Sequence, residues 1–339
     1  MSALSQQNNK RIAKNTLLLY FRMLFSMGIG LFTSRIVLES LGIEDYGIYN
    51  LVGGIVTIFA FLNSAMIATS QRFISYELGK GNLHKLKDVF CTTLTIHIAI
   101  AFIIVVLSEV IGVWFLNTKL NIPSDRMMAA NWTLQLSIFV FAVNVISVPY
   151  NASIVAHEKM SAFAYISIFE VSLKLAIAYL LLFISYDKLI VYSILVFCVA
   201  LLLRSLYCFY CKRHFEECHY TFSFNIEQFR EMFAFAGWSL VGNLGFSFKD
   251  QLSNILLNLF FGTVVNAARG ISVQVGSLIN SFSANFMMAM NPQITKSYAV
   301  GDLYRSKELV YAGCRFSFYL LAVISLPIMI NITLSLIHI

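Results

Sequence analysis

The sequence predicts an all-α polytopic membrane protein, with two pseudo-symmetric helical lobes around a central cleft. Three observations carry that prediction. The chain is 58% hydrophobic and only 12% charged, with 30 Phe and a mean hydropathy of +0.75, whereas soluble domains carry about 25% charged residues. Apolar runs longer than the roughly 18 residues that mark a membrane-crossing helix recur along it. A weak internal repeat, offset by 220 residues as from Gly81 to Gly301, divides the pattern in two. A transmembrane barrel would instead show alternating segments of about ten residues.

Nine apolar segments follow in order: 15–40, 46–69, 89–116, 131–156, 162–185, 189–211, 233–261, 264–290 and 311–339. The first is too long for a signal-peptide core and stays in the protein as a helix. If the N-terminus is cytoplasmic, fourteen Lys and Arg from Lys10 to Lys307 fall in loops on that side, against Lys119, Arg126 and Lys188 on the other. That bias predicts a cytoplasmic N-terminus. It also assigns the net charge of +7 to topology and anionic lipid, with no need for nucleic acid.

Seven basic residues remain within or beside the spans. Arg204 and Arg315 lie near cytoplasmic helix ends, where long side chains snorkel to the headgroups. Lys174 follows Glu170 by one helical turn, a spacing that reads either as a neutralised structural pair or as part of an ion pathway. Arg22, Arg35, Lys249 and Arg269 are largely uncompensated, with Asp250 the one acid nearby, and all fall in the first, seventh and eighth segments. A charge at membrane depth costs about 2.5–3.5 kcal/mol or more unless it meets a partner or water. A shared hydrated, cationic cleft is therefore the predicted binding site.

The repeat lays Gly81-Asn82-Leu83-His84-Lys85 over Gly301-Asp302-Leu303-Tyr304-Arg305, and Gly42 over Gly262. Six helices separate the copies, so they are parallel: residues 1–215 form a six-helix lobe and residues 216–339 begin a second. Gly28 and Gly30 in the first helix, and Gly237, Gly242 and Gly245 in the seventh, read either as hinges or as close-packing positions. Pro149 and Pro327 are predicted kinks.

Short motifs carry a resemblance at this point. Lys14-Asn15-Thr16, Leu41-Gly42 with Tyr46-Gly47-Ile48-Tyr49, Asn266-Ala267-Ala268-Arg269-Gly270 after Gly262, and Asn291-Pro292-Gln293-Ile294 with Lys296-Ser297-Tyr298 resemble the bacterial polysaccharide-export flippases. These Wzx-type O-antigen translocases belong to the superfamily that also holds the lipid II flippase and the multidrug and toxin extruders. The resemblance covers nearly the whole chain. It implies movement of an undecaprenyl-diphosphate-linked glycan across the bacterial inner membrane, with polysaccharide polymerase and glycosyltransferases as neighbours in the pathway. It also implies that Arg22, Arg35 and Arg269 meet the pyrophosphate. Such proteins carry twelve or fourteen helices, so a chain stopping within its ninth, at Leu334-Ser335-Leu336-Ile337-His338-Ile339, is expected to be C-terminally truncated.

Other clusters point elsewhere less strongly. Cys208 and Cys211, with His214, Cys218 and His219 beyond, have a zinc-like spacing, but no second close Cys pair follows, which favours reduced thiols and no metal. His97 and Glu109 in the third helix read as packed or snorkelling groups, or as proton carriers. No phosphate-cradling glycine loop, nucleophile elbow or zinc-protease signature is present, so the expectation is a transporter without cofactor and not an enzyme. Two alternatives stay open. Ion-coupled drug efflux predicts unpaired acids in the cleft, and a membrane glycosyltransferase or polymerase predicts a large outer loop with catalytic acids.

Overall fold

A computed structural model describes the backbone of residues 3–330 apart from 58, 121 and 222–225. It also describes the side chains of those residues except 3–8, 57, 60–62, 246–248, 250, 251, 254, 255, 258, 261–264, 266–268, 271 and 328. The described chain is all helix and turn: α1 Ala3–Thr57, α2 Ala60–Lys80, α3 Leu83–Leu107, α4 Val113–Thr118, α5 Met127–Ala156, α6 Met160–Phe183, α7 Lys188–His214, α8 Ile226–Ala299 and α9 Leu303–Ile330. A π-helical turn, Ser108–Gly112, joins α3 to α4. Six candidate spans among the described residues are long and apolar enough to cross a membrane.

Two of these helices are too long for one crossing, and local chemistry shows how each turns. The 55 residues of α1 would stretch about 80 Å at 1.5 Å per residue, against roughly 30 Å of hydrocarbon. Gly42 breaks the run at φ 80, ψ 169, a backbone state closed to side chains with a Cβ. Val37 and Leu41 before the break and Tyr46 and Tyr49 after it pack on one cluster with Ile177, Tyr192 and Val199 of α6 and α7. The 74 residues of α8 behave alike. Glu231 and Ile294 would lie about 95 Å apart on a straight helix, yet both line one cavity beside Arg72 and Tyr76 of α2. The run therefore doubles back between them, which accounts for the two apolar segments 233–261 and 264–290.

The offset of 220 residues reappears as matched caps. α2 ends at Gly81 with φ 73, and α8 is followed by Gly301 with φ 82. Asn82 Oδ1 then accepts the Lys85 amide at 3.1 Å, and Asp302 Oδ1 accepts the Arg305 amide at 2.9 Å. These side chains satisfy orphan donors of α3 and α9 in the same register.

Helices α1 to α7 pack around three apolar clusters, which join α2 to α3, α5 and α7, the return limb of α1 to α5, and α1 to α6 and α7. At the face where Gly42 lies, Arg126 binds Asp45 through Nε at 2.8 Å and Asp187 through Nη1 at 2.7 Å. Asp187 caps α7 as well, through the amides of Leu189 and Ile190. At the opposite face, which holds the N-terminal segment, α2 and α8 approach so closely that a Cβ on Gly79 would lie 2.8 Å from Lys296 Cα and 3.0 Å from Ala299 Cβ. Gly79 and Ala299 are themselves 220 positions apart, so the repeat meets itself at that contact.

Candidate functional site

Near that closed face, α1, α6 and α8 leave a cavity of about 470 Å³ lined by Arg22, Ser26, Ser167, Glu170, Ser281 and Asn285, with Met23, Met27, Val171 and Leu278. Each side chain arrives there by helical spacing. Arg22 and Ser26, Ser167 and Glu170, and Ser281 and Asn285 are three or four residues apart and share a face of their helices. Arg22 Nη2 donates to Asn285 Oδ1 at 3.1 Å, and its guanidinium stacks 4.7 Å from the centroid of Phe163. The amide of Asn285 is held in turn by the Ser281 carbonyl at 2.8 Å. Arg22 Nε is buried with no hydrogen-bond partner among the described residues. A guanidinium lining a cavity offers charge-assisted hydrogen bonds to an anion such as phosphate or carboxylate, and those are the strong ones.

Glu170 is neutralised where it stands: Lys174 Nζ donates to its Oε1 at 2.6 Å. The cavity and its immediate pair thus carry Arg22, Lys174 and Glu170, a net single positive charge, surrounded by hydroxyl and amide groups.

The structure does not gather the four predicted cations here. Arg35 is exposed and does not line this cavity, lying thirteen residues, or about 20 Å, farther along α1 toward Gly42. Lys249, exposed, and Arg269, half-buried, flank Gly262 on α8 and also lie outside the lining. The side chain of Asp250 lies outside the described residues. Sequence reasoning missed Ser26, Ser167, Ser281 and Asn285, which are neutral polar residues in apolar helices. The spacing of Ser281 and Asn285 was the one available signal.

Of the remaining candidates, His97 keeps one ring nitrogen, Nε2, buried without a partner among the described residues. Glu109 accepts Gln135 Nε2 at 2.8 Å, and His97 is fully buried with Nδ1 on the Thr93 carbonyl at 2.7 Å. Cys211 and Cys218 are buried free thiols, and no group of three His, Cys, Asp or Glu among the described residues is placed to hold a metal ion. His157 lies stacked on Phe215 and bonded to Glu217 at 2.7 Å.

Long helices that double back at α1 and α8, with matched caps 220 residues apart, make an all-α multi-pass membrane fold, and solved membrane transporters share that fold. The solved Vibrio cholerae MATE transporter VcmN has it, at TM-score 0.79 and 14% identity over 97% of this chain and 75% of that one. A MOP-superfamily transporter from Pyrococcus furiosus has it at TM-score 0.76 and 13% identity, over 95% of this chain and 72% of that one. Residues 12–296 match the family described as polysaccharide biosynthesis protein, and the chain belongs to that family. It is also similar to the uncharacterized membrane protein EpsK of Bacillus subtilis (strain 168), 19% identical over 304 residues. That match takes in 88% of this chain, which spans 59% of the length of the relative.

Proposed function

We propose that the chain is part of a flippase that moves an undecaprenyl-diphosphate-linked oligosaccharide from the inner to the outer leaflet of the bacterial inner membrane, with the N-terminus cytoplasmic. The observation that carries the reading is Arg22, a membrane-embedded cation that lines a polar cavity whose one acid, Glu170, is already paired with Lys174, in a member of a polysaccharide biosynthesis family. A glycan diphosphate cannot cross about 30 Å of hydrocarbon unaided, because each unsatisfied polar group and every bare charge is costly there. The Arg22 guanidinium, with the hydroxyls of Ser26 and Ser167 beside it, replaces the water around the diphosphate, while the lipid tail stays in the bilayer.

Residues 1–215 form one lobe in this reading and the helices from 216 onward begin the second; the caps at Gly81 and Gly301 support the division. Rocking of the lobes exposes the cleft to each side in turn. The excess of Lys and Arg on the face of the N-terminal segment supports its cytoplasmic placement. Arg35 lies nearer the break at Gly42, and Lys249 and Arg269 lie on the stretch of α8 over which it doubles back; in this reading they serve as later stations for the diphosphate on its outward path. Cation efflux would need an unneutralised acid in the cavity, and Glu170 is bound by Lys174. The Pyrococcus furiosus transporter is described as having a binding pocket of reverse polarity, which supports a fold able to carry pockets of either sign.

The test is complementation in the source bacterium deleted for the full-length gene. Losing charge-assisted hydrogen bonds of about 2–3 kcal/mol lowers affinity roughly 30- to 150-fold. The Arg22→Ala protein, inserted at normal levels, is therefore expected to leave little surface glycan and to accumulate lipid-linked units facing the cytoplasm. Normal surface glycan in that strain would refute the assignment.

A further inference from the structure

Glu158 lies in the connection between α5 and α6 and is the one non-glycine residue with positive φ, 59°, among the described residues. Its carboxylate is almost completely buried, 2% exposed, yet three donors converge on it. Arg11 Nε reaches Oε2 at 2.8 Å, Gln293 Nε2 reaches Oε2 at 2.9 Å, and Lys296 Nζ reaches Oε1 at 2.8 Å. The backbone carbonyl of the same residue accepts Asn15 Nδ2 at 3.3 Å. A left-handed backbone at a residue with a side chain carries strain that the surrounding contacts must offset. Here the strained turn points one carboxylate into a ring of donors.

Those donors come from both sides of the proposed cleft. Arg11 and Asn15 sit on α1, in the same lobe as Glu158, whereas Gln293 and Lys296 sit on the second limb of α8. The surrounding contacts are apolar and cross the same boundary: Leu19, Val155 and Met160 enclose Ala289, and Ile12 packs on Met290 and Leu309. Gly79 meets Lys296 beside them. Burial pushes the Lys296 amine down from its usual range, and the Glu158 carboxylate pulls it back up, so the ammonium depends on that partner.

We propose that Glu158 is an ionic latch that holds the cytoplasmic side of the cleft shut, gripping Gln293 and Lys296 of the second lobe, and that opening of this side breaks those two bonds while Arg11 and Asn15 stay with it. The proposal rests on the alternating-access reading above but not on the identity of the cargo. Retaining Arg11 lets the latch release without stranding the carboxylate, because one cation leaves and one remains. Lys296, freed, faces the cytoplasmic mouth as a cation.

The test reads water access directly, with no substrate present. A single reporter, Ala289→Cys in a background cleared of the six native cysteines, is buried under the latch and becomes reachable when this side opens. In inside-out vesicles, a membrane-impermeant maleimide is expected to label it at least tenfold faster in Glu158→Gln than in the parent. Lys296→Met is expected to give a similar increase, and the double variant to label no faster than the faster single one, because both substitutions break one interaction. Arg11→Met, which cuts a contact inside one lobe, is expected to change the rate less than twofold. Unchanged labelling in both Glu158→Gln and Lys296→Met overturns the latch, as does a double variant whose effect is the product of the singles. Loss of glycan transport in Arg22→Ala does not move this readout, so failure of the cargo assignment and failure of the latch are separable. If Glu158→Gln does not fold, the Lys296→Met and Arg11→Met pair still decides: equal acceleration in both overturns the proposal.

Discussion

Replacing Gly79 with Ala asks the sharpest question of this fold, because the added methyl meets backbone and not a flexible side-chain tip. Its Cβ would lie 2.8 Å from Lys296 Cα and 3.0 Å from both the Lys296 carbonyl oxygen and Ala299 Cβ. Ordinary contact between such atoms is about 3.5–4.0 Å, so the axes of α2 and α8 must separate by roughly 0.5–1 Å at this point. Overpacking of that kind costs about 1–3 kcal/mol. The gain in helix propensity on replacing Gly, about 1 kcal/mol, acts on the open and closed forms alike and cancels between them. The closed form alone bears the clash, so the ratio of closed to open is expected to fall roughly 5- to 150-fold. Spin labels at His84 and Tyr304, both exposed and 220 positions apart on this face, report it as a longer-distance population in the variant. Gly28→Ala and Gly30→Ala are the controls, since a Cβ at either meets nothing within 4 Å; both are expected to leave the distance distribution unchanged. An unaltered distribution in Gly79→Ala, at unaltered thermal stability, would refute the claim that this contact is a tight closure.

Three further outcomes test the frame around the cavity. Arg126→Met strips the bridge between Asp45 and Asp187, whose side chains are 16% and 32% exposed. Allowing for solvent screening, it is expected to cost about 1–2 kcal/mol of stability in detergent unfolding. The same triad sets a pH dependence. Burial raises the Asp187 carboxyl, but hydrogen bonds from Arg126 and the Ile190 and Leu189 amides overcome it and hold the group below its usual value. Its stabilisation is therefore present above the unfolded value near pH 3.9 and lost as pH falls through the folded one. Melting temperature is expected to drop below about pH 4 in the parent and to drop less steeply in Arg126→Met. Gly81→Ala and Gly301→Ala each force a side chain into positive φ, at 73° and 82°, with open space around both. Each is expected to lose about 1–2 kcal/mol by the same unfolding assay, and a clear loss in one without the other would count against the structural equivalence of the two turns.

The sequence determined by itself that this is an all-helical membrane protein and where most of its helices run, though the predicted segment 46–69 is divided between the end of α1 and the start of α2. These are local properties. A membrane span is a matter of consecutive apolar residues, and a turn at Gly42, Gly81 or Gly301 is a matter of one residue that can take positive φ. The register of Asn82 and Asp302 as caps follows from neighbours three residues away. The Glu170–Lys174 pair was legible for the same reason, since one helical turn brings the two together whatever the rest of the chain does.

Only the tertiary structure decided which charges act together. Arg22, Arg35, Lys249 and Arg269 look alike as cations in apolar runs, but the position of each along its helix and the face it takes put Arg22 alone at the described cavity. Asn285, 263 positions away, is its partner there. Glu158 stands in a short polar connection, His157-Glu158-Lys159, with nothing in its neighbours to mark it. Its burial is created by Gln293 and Lys296, 135 and 138 positions distant, at the contact of Gly79 with the end of α8. Hydropathy fixes how often a chain crosses the membrane. Which side chains meet is fixed by how the helices close on one another, and no window of neighbouring residues contains that closure.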